Sequence, residues 1–500
     1  MPRLYTLLMS ISKMESGVLR FLFLVLWAGG ALGGWGVLYA QTSPAEREAV
    51  HYWPQWRGPL GTGVAPHADP PTVWSEEKNI RWKIELPGSG HSTPVVWGDR
   101  VFLTAAVPSG EPLSSPSGRH RGSHGALSVL HRQSFVVLAV RRQDGKILWK
   151  RTVREALPHE GIHYTGSFAA SSPVVDGDHV FAFFGSHGLY SLTLDGELVW
   201  ETDLGDMRVE HEHGEGSSPT LHGDTLIVNW DHEGQSFLVA LDKRTGRERW
   251  KVNRDESTSW ASPIVVEHGG KHQVVVSATH RVRGYDLDSG HEIWECAGLS
   301  RNVTASPVAA DGMVYVGSNY FSRNMLAIRL DGARGDITGT DQIVWSRTRG
   351  TPFVPSPLLY GEALYFLNQY QGVLTRLRAK TGEEWPGSFR LEEVRSVYAS
   401  PVGAAGRVYV TGREGATVVI RHHENPEPLA VNVLDDSFSA SAAVAGRELF
   451  LRGEKYLYCI AEDGQIDVDR RLTLGRRFSR AGWLRAPQWP PDPEAGRRLA

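Results

Sequence analysis

One short pattern recurs through most of this chain and limits the folds it can adopt. A small hydroxyl residue followed by Pro opens an apolar run, a Gly-containing turn and a second apolar run. Copies begin near residues 91, 170, 216, 260, 304, 354, 398 and 439, most of them spaced by about 44 residues. The last copy has Ala442 in place of Pro, and an insertion over 107–133 lengthens the first interval. Such a period is typical of proteins that stack one supersecondary unit many times.

Each repeat predicts four antiparallel strands. Two apolar runs flank a turn such as "GD", which is a hairpin signal. Pro stands at the start of the first strand, where a missing N–H does least harm. A third run such as "FLVALD" follows, and a "DG", "TG" or "SG" turn leads to a fourth run that carries a Trp. The sequence therefore predicts an all-β propeller of four-stranded antiparallel blades.

The segment "NIRWKIELPG" at 79–88 indicates how the ring closes. It reads as a Trp-bearing fourth strand, but only Pro-rich sequence precedes it, whereas the eighth repeat ends at "YLYCIAEDG" without a fourth strand. We predict eight blades, the last completed by this N-terminal strand, because closure removes the exposed edge of an open array. A seven-bladed ring is the alternative, since the last repeats are degenerate.

One Trp per blade is predicted to fill the wedge between neighbouring blades. These structural docking residues are Trp82, Trp149, Trp200, Trp250, Trp294, Trp345 and Trp385. The two cysteines, Cys296 and Cys459, fall in blades on opposite sides of the ring, so no disulfide is expected between them.

The two ends of the chain differ from the repeats. Basic residues precede an uncharged run over 21–40, which predicts a signal peptide over 1–40; an uncleaved anchor is the alternative. A Pro/Gly-rich segment over 41–78 leads into the propeller over 79–464. The basic, Pro-rich tail over 465–500 is predicted to be disordered.

Localisation and partners follow from these features. No Cys lies near the predicted cleavage site, so we expect an exported protein, periplasmic or extracellular, that is not a lipoprotein. Once the signal is removed, no stable membrane insertion is expected, and a closed ring has no edge that requires a second copy, so we expect a monomer. The formal net charge of -3 argues against a nucleic-acid partner, which would require a basic face.

The motif "ALDKRTGRERW" at 240–250 resembles the Trp-docking motif of the pyrroloquinoline quinone (PQQ) propeller repeat family, A-x-D-x-x-T-G-x-x-x-W. "YDLDSGHEIW", "VRRQDGKILW" and "RLRAKTGEEW" are looser copies, and "WPQWRGPLGTGV" resembles the N-terminal segment of exported members of uncharacterised function. The resemblance covers roughly 79–464. It implies a quinoprotein-type β-propeller, in a family that contains PQQ-dependent alcohol dehydrogenases and the non-enzymatic scaffold lipoprotein of outer-membrane protein assembly.

Fold alone does not choose between these functions. We expect a non-enzymatic binding or scaffold module in the cell envelope, with an envelope protein or polymer as ligand and no cofactor. The alternative is a PQQ-dependent dehydrogenase, which the resemblance associates with Ca²⁺, a catalytic Asp and often a Cys-Cys pair. The sequence has no Cys-Cys pair and no C-x-x-C-H haem site. No catalytic or cofactor-binding residue is assigned from it.

A third interpretation comes from His-rich and acidic loops predicted on one face of blades 1 to 3. His and carboxylate together suit Zn²⁺ or a similar ion, and they suit acid–base chemistry near neutral pH. The candidate metal ligands are His159, His163, His211, Glu212, His213, Asp231 and His232, and nearby loops add His91, His120, His124 and His131. The spacing matches no named metal motif, and a solvated polar rim is the simpler alternative.

Overall fold

The computed structural model describes residues 44–115, 117–118, 123–385 and 389–462. The predicted signal peptide, the basic tail and His120 lie outside the described residues. A short α-helix, Pro44–Ala49, comes first, and the chain from Ala49 onward forms one compact unit. Among the described residues, no helix has the length and apolar character needed to cross a membrane.

The first four blades are antiparallel sheets whose strands follow one another in the chain. Blade 1 contains Val95–Trp97, Arg100–Ser109, Arg132–Arg141 and Ile147–Ala156. Blade 2 contains Val174–Val175, His179–Phe183, Leu189–Thr193 and Leu198–Thr202. Blade 3 contains Thr220–His222, Thr225–Trp230, Ser236–Asp242 and Glu248–Arg254. Blade 4 contains Ile264–His268, Lys271–Ser277, Val282–Asp286 and Glu292–Cys296.

The next three blades repeat this order, and the eighth differs in its outer strand. Blade 5 contains Val308–Ala310, Met313–Asn319, Arg323–Arg329 and Ile343–Arg347. Blade 6 contains Leu358–Tyr360, Ala363–Leu367, Val373–Arg378 and Phe389–Arg390. Blade 7 contains Val402–Ala404, Arg407–Thr411, Ala416–Arg421 and Pro428–Val433. Blade 8 contains Ala443–Ala445, Glu448–Arg452, Tyr456–Ile460 and the N-terminal Ile80–Glu85.

Short elements decorate the ring. Val64–Ala65 pairs with the inner strand of blade 7, and Gly335–Asp336 pairs with the outer strand of blade 4, both in parallel. Ala126–Leu127 and Ile162–His163 form a two-stranded ribbon. Within the described ranges, 3₁₀ turns cover Ser123–Gly125, Gly185–His187 and Glu210–Glu212.

The two ends of the propeller share one sheet. Ile80–Glu85 pairs antiparallel with Tyr456–Ile460, with Ile84 opposite Leu457. The N-terminal strand thus supplies the fourth strand that the eighth repeat lacks. The prediction of eight blades is confirmed, and the seven-bladed alternative is wrong.

Five of the predicted docking tryptophans bond to the following blade. Each indole Nε1 donates to a backbone carbonyl at 2.8–2.9 Å: Trp82 to Arg142, Trp149 to Leu194, Trp200 to Lys243, Trp250 to Leu287 and Trp345 to Ala379. A turn glycine lies under each ring. At Gly145, which has a φ of +75°, an added Cβ would stand 2.8 Å from the Trp82 ring. The rings therefore tie the blades together by packing and by one polar bond each.

Trp294 and Trp385 differ from that prediction. Trp294 is fully buried and donates to Gln273 Oε1 of its own blade at 2.9 Å, while Gly335–Asp336 pairs alongside its strand. Trp385 precedes the outer strand of blade 6 instead of lying on it, and its ring packs 5.7 Å from the Arg376 guanidinium. An insertion in blade 5 and a short outer strand in blade 6 account for these two departures.

A ring of hydroxyl groups joins the inner strands around the central channel. The residue before Pro, or before Ala442 in blade 8, is buried in each blade. In blades 1 to 7 its backbone N–H donates to the hydroxyl of the equivalent residue one blade on. Seven such bonds of 2.9–3.0 Å run in order through Thr93, Ser172, Ser218, Ser262, Ser306, Ser356, Ser400 and Ser441. A buried N–H at the start of a strand needs an acceptor, and this requirement explains the recurrent hydroxyl in the sequence.

The segment that follows the first helix crosses one end of the channel. Trp53 exchanges two backbone hydrogen bonds with Val96 of blade 1, and the Pro54 carbonyl accepts from Val175 of blade 2. Further on, the Asp69 N–H donates to Gly446 in the first hairpin turn of blade 8 at 2.7 Å. These bonds lie toward the turn between the first and second strands, so the segment covers that end of the channel.

Arg57 binds this segment to the inner strands of the propeller. Its guanidinium donates to the carbonyls of Pro401 at 2.9 Å and Pro357 at 2.6 Å, and the side chain is 2% exposed. Burial lowers the pKa of Arg57 to about 9, so the group remains cationic at neutral pH. Its hydrogen bonds go to carbonyls of blades 6 and 7, which directly follow the ring residues Ser356 and Ser400.

We expect Ser218→Ala to lower the free energy of unfolding by about 1–3 kcal/mol, because it leaves the buried Ser172 N–H without an acceptor. Ser218→Thr should cost less, since blade 1 already carries Thr93 at this position. Urea unfolding of the two variants and the wild type measures the difference. Equal stability of Ala and Thr variants would show that the ring bond contributes nothing.

Candidate functional site

The other end of the central channel opens into a cavity of about 1020 Å³. Its walls come from the loops that precede the inner strands and from the loops between the second and third strands. Seven residues of the hydroxyl ring, the serines from Ser172 to Ser441, form a serine ring at the base of this cavity. Trp56 lies beside them, and its Nε1 donates to Ser306 Oγ at 3.2 Å. The size is that of a small-molecule site or of a pocket for one end of a longer ligand.

One wall of the cavity is aromatic and comes from blades 5 to 7. The Tyr320 and Phe353 rings are 5.8 Å apart, Phe353 and Tyr370 are 6.3 Å apart, and Tyr370 and Tyr398 are 6.3 Å apart. The Arg413 guanidinium lies 4.7 Å from the Tyr398 ring. All four rings are half-buried, so they offer flat apolar surface to a ligand while their edges remain wet.

The opposite wall carries imidazoles from blades 1 to 3. His124 stacks on His211 at 4.0 Å, His163 meets His213 edge-on at 4.8 Å, and His211 is 5.4 Å from His213. His213 Nε2 donates to the His124 carbonyl at 2.8 Å. Burial lowers the pKa of His213, so this ring is neutral at pH 7.

The structure distributes the seven predicted metal ligands over several places. His163 and His213 line the cavity, and His211 lies against His213 and His124. His159 points elsewhere, because its Nε2 donates to the Met207 carbonyl at 2.7 Å. The remaining three residues, Glu212, Asp231 and His232, are buried.

Asp231 and His232 fix the loop between the second and third strands of blade 3 to the outer strand of that blade and to the neighbouring loops. The Asp231 carboxylate pairs with Arg254 at 2.8 Å and accepts from Ser259 Oγ at 2.7 Å, and both charged side chains are completely buried. His232 accepts the Arg208 N–H at its Nδ1, at 3.0 Å, and donates from Nε2 to the Gln235 carbonyl. Both ring nitrogens are thus used within the protein.

The glutamates of these loops bind groups of neighbouring blades. Glu212 accepts the Gly161 N–H at 3.1 Å. Glu215 accepts both the N–H and the Oγ–H of Ser186 at 2.6 Å. Glu233 accepts the N–H and hydroxyl of Thr258 at 3.0 and 2.7 Å. The carboxylates of these acidic loops therefore join each loop to its neighbour by hydrogen bonds.

The positions of these seven side chains decide whether they could share one metal ion. Among the described residues, no three His, Cys, Asp or Glu side chains are grouped so that they could hold one metal ion. The donor atoms of Asp231, His232 and Glu212 already have partners in the protein. Metal binding by the seven candidates stays a prediction, and the donor set as folded does not fit it.

Sequence reasoning missed the aromatic wall, the function of the serine ring and Trp56. Tyr320, Phe353, Tyr370 and Tyr398 all lie in loops that the predicted topology places on the cavity face. A search of those loops for aromatic residues would have found them. The histidines are easier to recognise in the sequence because they cluster along the chain, whereas the aromatic residues are spread over three repeats.

We expect Asp231→Ala to lower the free energy of unfolding by about 3–5 kcal/mol, because it leaves a buried Arg254 without its partner. The double variant Asp231→Leu/Arg254→Met should recover part of this loss, since it removes both charges. Chemical denaturation measures the three proteins. A single variant as stable as the wild type would contradict the structural function of Asp231.

His187 should make stability depend on pH. Its ring stacks on Phe135 at 4.2 Å, and burial lowers its pKa to about 4, from 6.5 in the unfolded chain. The unfolded state therefore binds more protons between these values, and stability should fall by about 3 kcal/mol as the pH drops from 6.5 to 4. Urea unfolding of the wild type and His187→Phe across this range tests it. An unchanged pH slope in the variant would contradict the assignment.

Comparison with known proteins identifies one family and several relatives. The profile of a PQQ-like family described as outer membrane protein assembly factor BamB matches residues 133–295 and 234–467. Outer membrane protein assembly factor BamB of Alkalilimnicola ehrlichii is 27% identical over 213 residues, which cover 42% of this chain and 51% of that protein. A polyvinylalcohol dehydrogenase of Pseudomonas sp is 24% identical over 239 residues, 36% of this chain and 37% of that protein.

The chain thus spans about half of the first curated relative and less of the second. Among solved structures, BamB from Moraxella catarrhalis matches 77% of this chain and 98% of its own, with a TM-score of 0.50 and 13% identity. At that identity the likeness concerns the fold alone.

Proposed function

This chain belongs to the PQQ-like propeller family described as outer membrane protein assembly factor BamB, and we propose that it is an exported, non-enzymatic propeller that binds an envelope protein or polymer at its cavity face. The observation that carries the proposal is the cavity of about 1020 Å³, with an aromatic wall on one side and imidazoles on the other. The propeller that carries these walls is a closed ring, and such a rigid support suits a preorganised binding surface.

The rim of the cavity face supports binding of a macromolecule. Leu127 is 52% exposed, Tyr164 41% and Phe321 69%, and all three belong to loops of this face. Leu127 pairs with Ile162 in the short ribbon, and the Tyr164 N–H donates to Gly125 beside it. Exposed apolar side chains around a polar pocket are typical of interaction sites.

The relative that is named polyvinylalcohol dehydrogenase favours a second candidate, a PQQ-dependent alcohol dehydrogenase. Calcium takes six to eight oxygen ligands. In this cavity the Glu215 carboxylate is held by Ser186, and burial raises its pKa, while Glu392 and Glu414 are exposed at the mouth. These residues do not fit a calcium-bound quinone.

Two measurements on the mature chain, residues 41–500, test the proposal. Immobilised protein should retain a partner from an envelope fraction, and Tyr370→Ala/Tyr398→Ala should lose it because half of the aromatic wall is removed. Arg244→Ala is the control, since Arg244 is exposed in a turn on the opposite face. Retention that is unaffected by the wall variant, or equally lost in the control, would place the binding surface elsewhere.

Dye-linked alcohol oxidation with added PQQ and Ca²⁺ is the second measurement. We expect no turnover. Turnover that requires both additions would overturn the non-enzymatic proposal in favour of the dehydrogenase.

A further inference from the structure

The hydroxyl protons of the serine ring indicate which chemical class of ligand the cavity can bind. A serine hydroxyl has one proton to donate and two lone pairs that accept. In the ring, an oxygen lone pair accepts the N–H of the preceding blade, as in Ser218 and Ser262 at 2.9 Å. Among the described residues, no hydrogen bond donated by a ring serine to another protein group is found at Ser172, Ser218, Ser262, Ser306, Ser356, Ser400 or Ser441.

Ser306 shows most clearly that the ring hydroxyls are available as donors to the cavity. Its Oγ accepts both the Ser262 N–H at 3.0 Å and the Trp56 indole N–H at 3.2 Å. Both lone pairs are therefore used, and the remaining polar function of this side chain is its O–H. Because all seven serines line the cavity, the base of the cavity is a ring of hydrogen-bond donors.

Cationic side chains lie on both sides of this ring. Arg57 is buried, and its guanidinium donates to backbone carbonyls, two of which belong to the prolines that directly follow ring serines. Arg390, Arg395 and Arg413 line the mouth. The mouth also holds two exposed glutamates, and burial raises the pKa of Glu215, which favours its uncharged form. A buried cation such as Arg57 interacts more strongly with a nearby anion than a cation in solvent does.

We propose that the base of the cavity is an oxyanion site, which receives the carboxylate or phosphate head of a ligand whose apolar body lies against the aromatic wall. The inference rests on the proposed function and names the ligand class of the same site. Hydroxyl donors around an ionised oxygen form charge-assisted bonds, which are stronger than neutral ones. Tyr320, Phe353, Tyr370 and Tyr398 supply the surface for the body of the ligand.

Three small aromatic probes separate the contribution of the charged head from that of the apolar ring. Benzoate, phenyl phosphate and neutral benzyl alcohol are titrated into the mature chain, and binding is followed by calorimetry. At least one anion should bind tenfold or more tightly than benzyl alcohol. The stronger of the two anions identifies carboxylate or phosphate as the head group. Equal affinity for all three probes, or binding of none, overturns the oxyanion site.

Paired ring variants test whether the donors are the serines. Ser218→Ala/Ser262→Ala should weaken the preferred anion about tenfold without changing benzyl alcohol binding. Ser218→Thr/Ser262→Thr should keep the affinity, because Thr retains the hydroxyl and blade 1 carries Thr93 in the equivalent place. Anion affinity that is the same in the Ala and Thr pairs overturns the assignment. If the Ala pair does not fold, the single variants Ser218→Ala and Ser218→Thr are compared in the same way, with the same expected result.

A competition assay separates this inference from the proposed function. Partner retention that persists while no anion is preferred leaves the binding function standing and refutes the oxyanion site. Anion preference together with no partner retention supports the site and refutes the macromolecular function. Loss of the partner in saturating anion supports both.

Discussion

The bond from a backbone N–H to the hydroxyl of the next blade is the interaction on which this ring depends. It repeats at seven junctions and satisfies amides that the sheets leave unpaired. The eighth junction, between Ser441 and Thr93, is held differently. There Arg452 of blade 8, which is fully buried, donates to Ser92 of blade 1. The N-terminal strand Ile80–Glu85 also completes blade 8, so a buried cation and a shared sheet close the ring where the two ends of the propeller meet.

The same bonds shape the site. Because the ring oxygens accept from the protein, their protons are left for the cavity, so a scaffolding interaction also creates a polar base. The segment around Trp56 and Arg57 covers the channel on the far side of this ring. A ligand therefore meets aromatic and imidazole walls first and hydroxyl donors last. The walls come from loops that vary between repeats, whereas the base comes from the position that repeats most regularly.

The acidic loops show why dense charge in a sequence is a poor guide to a site. Asp231 and Glu233 lie in one acidic loop of the sequence, but Arg254 lies 23 residues from Asp231 and Thr258 lies 25 from Glu233. Arg254 reaches Asp231 only when the strands of blade 3 pair, and Thr258 reaches Glu233 only when the loop before blade 4 packs on blade 3. Once paired, the carboxylates fix loop positions. His163 and His213 were predicted on the correct face, yet their neighbours and hydrogen bonds follow from loop conformation.

The sequence by itself determined the number of blades, the strand order, the closure by residues 79–88 and five of the tryptophan docks, because each depends on a local signal repeated at a regular spacing. The tertiary structure alone decided the rest. It brought Thr165 within 3.3 Å of Tyr398, 233 residues away, and Trp56 within 3.2 Å of Ser306, 250 residues away. The physical reason is closure of the ring: a circular arrangement places side chains of distant repeats across one channel, and no local pattern records which of them meet there.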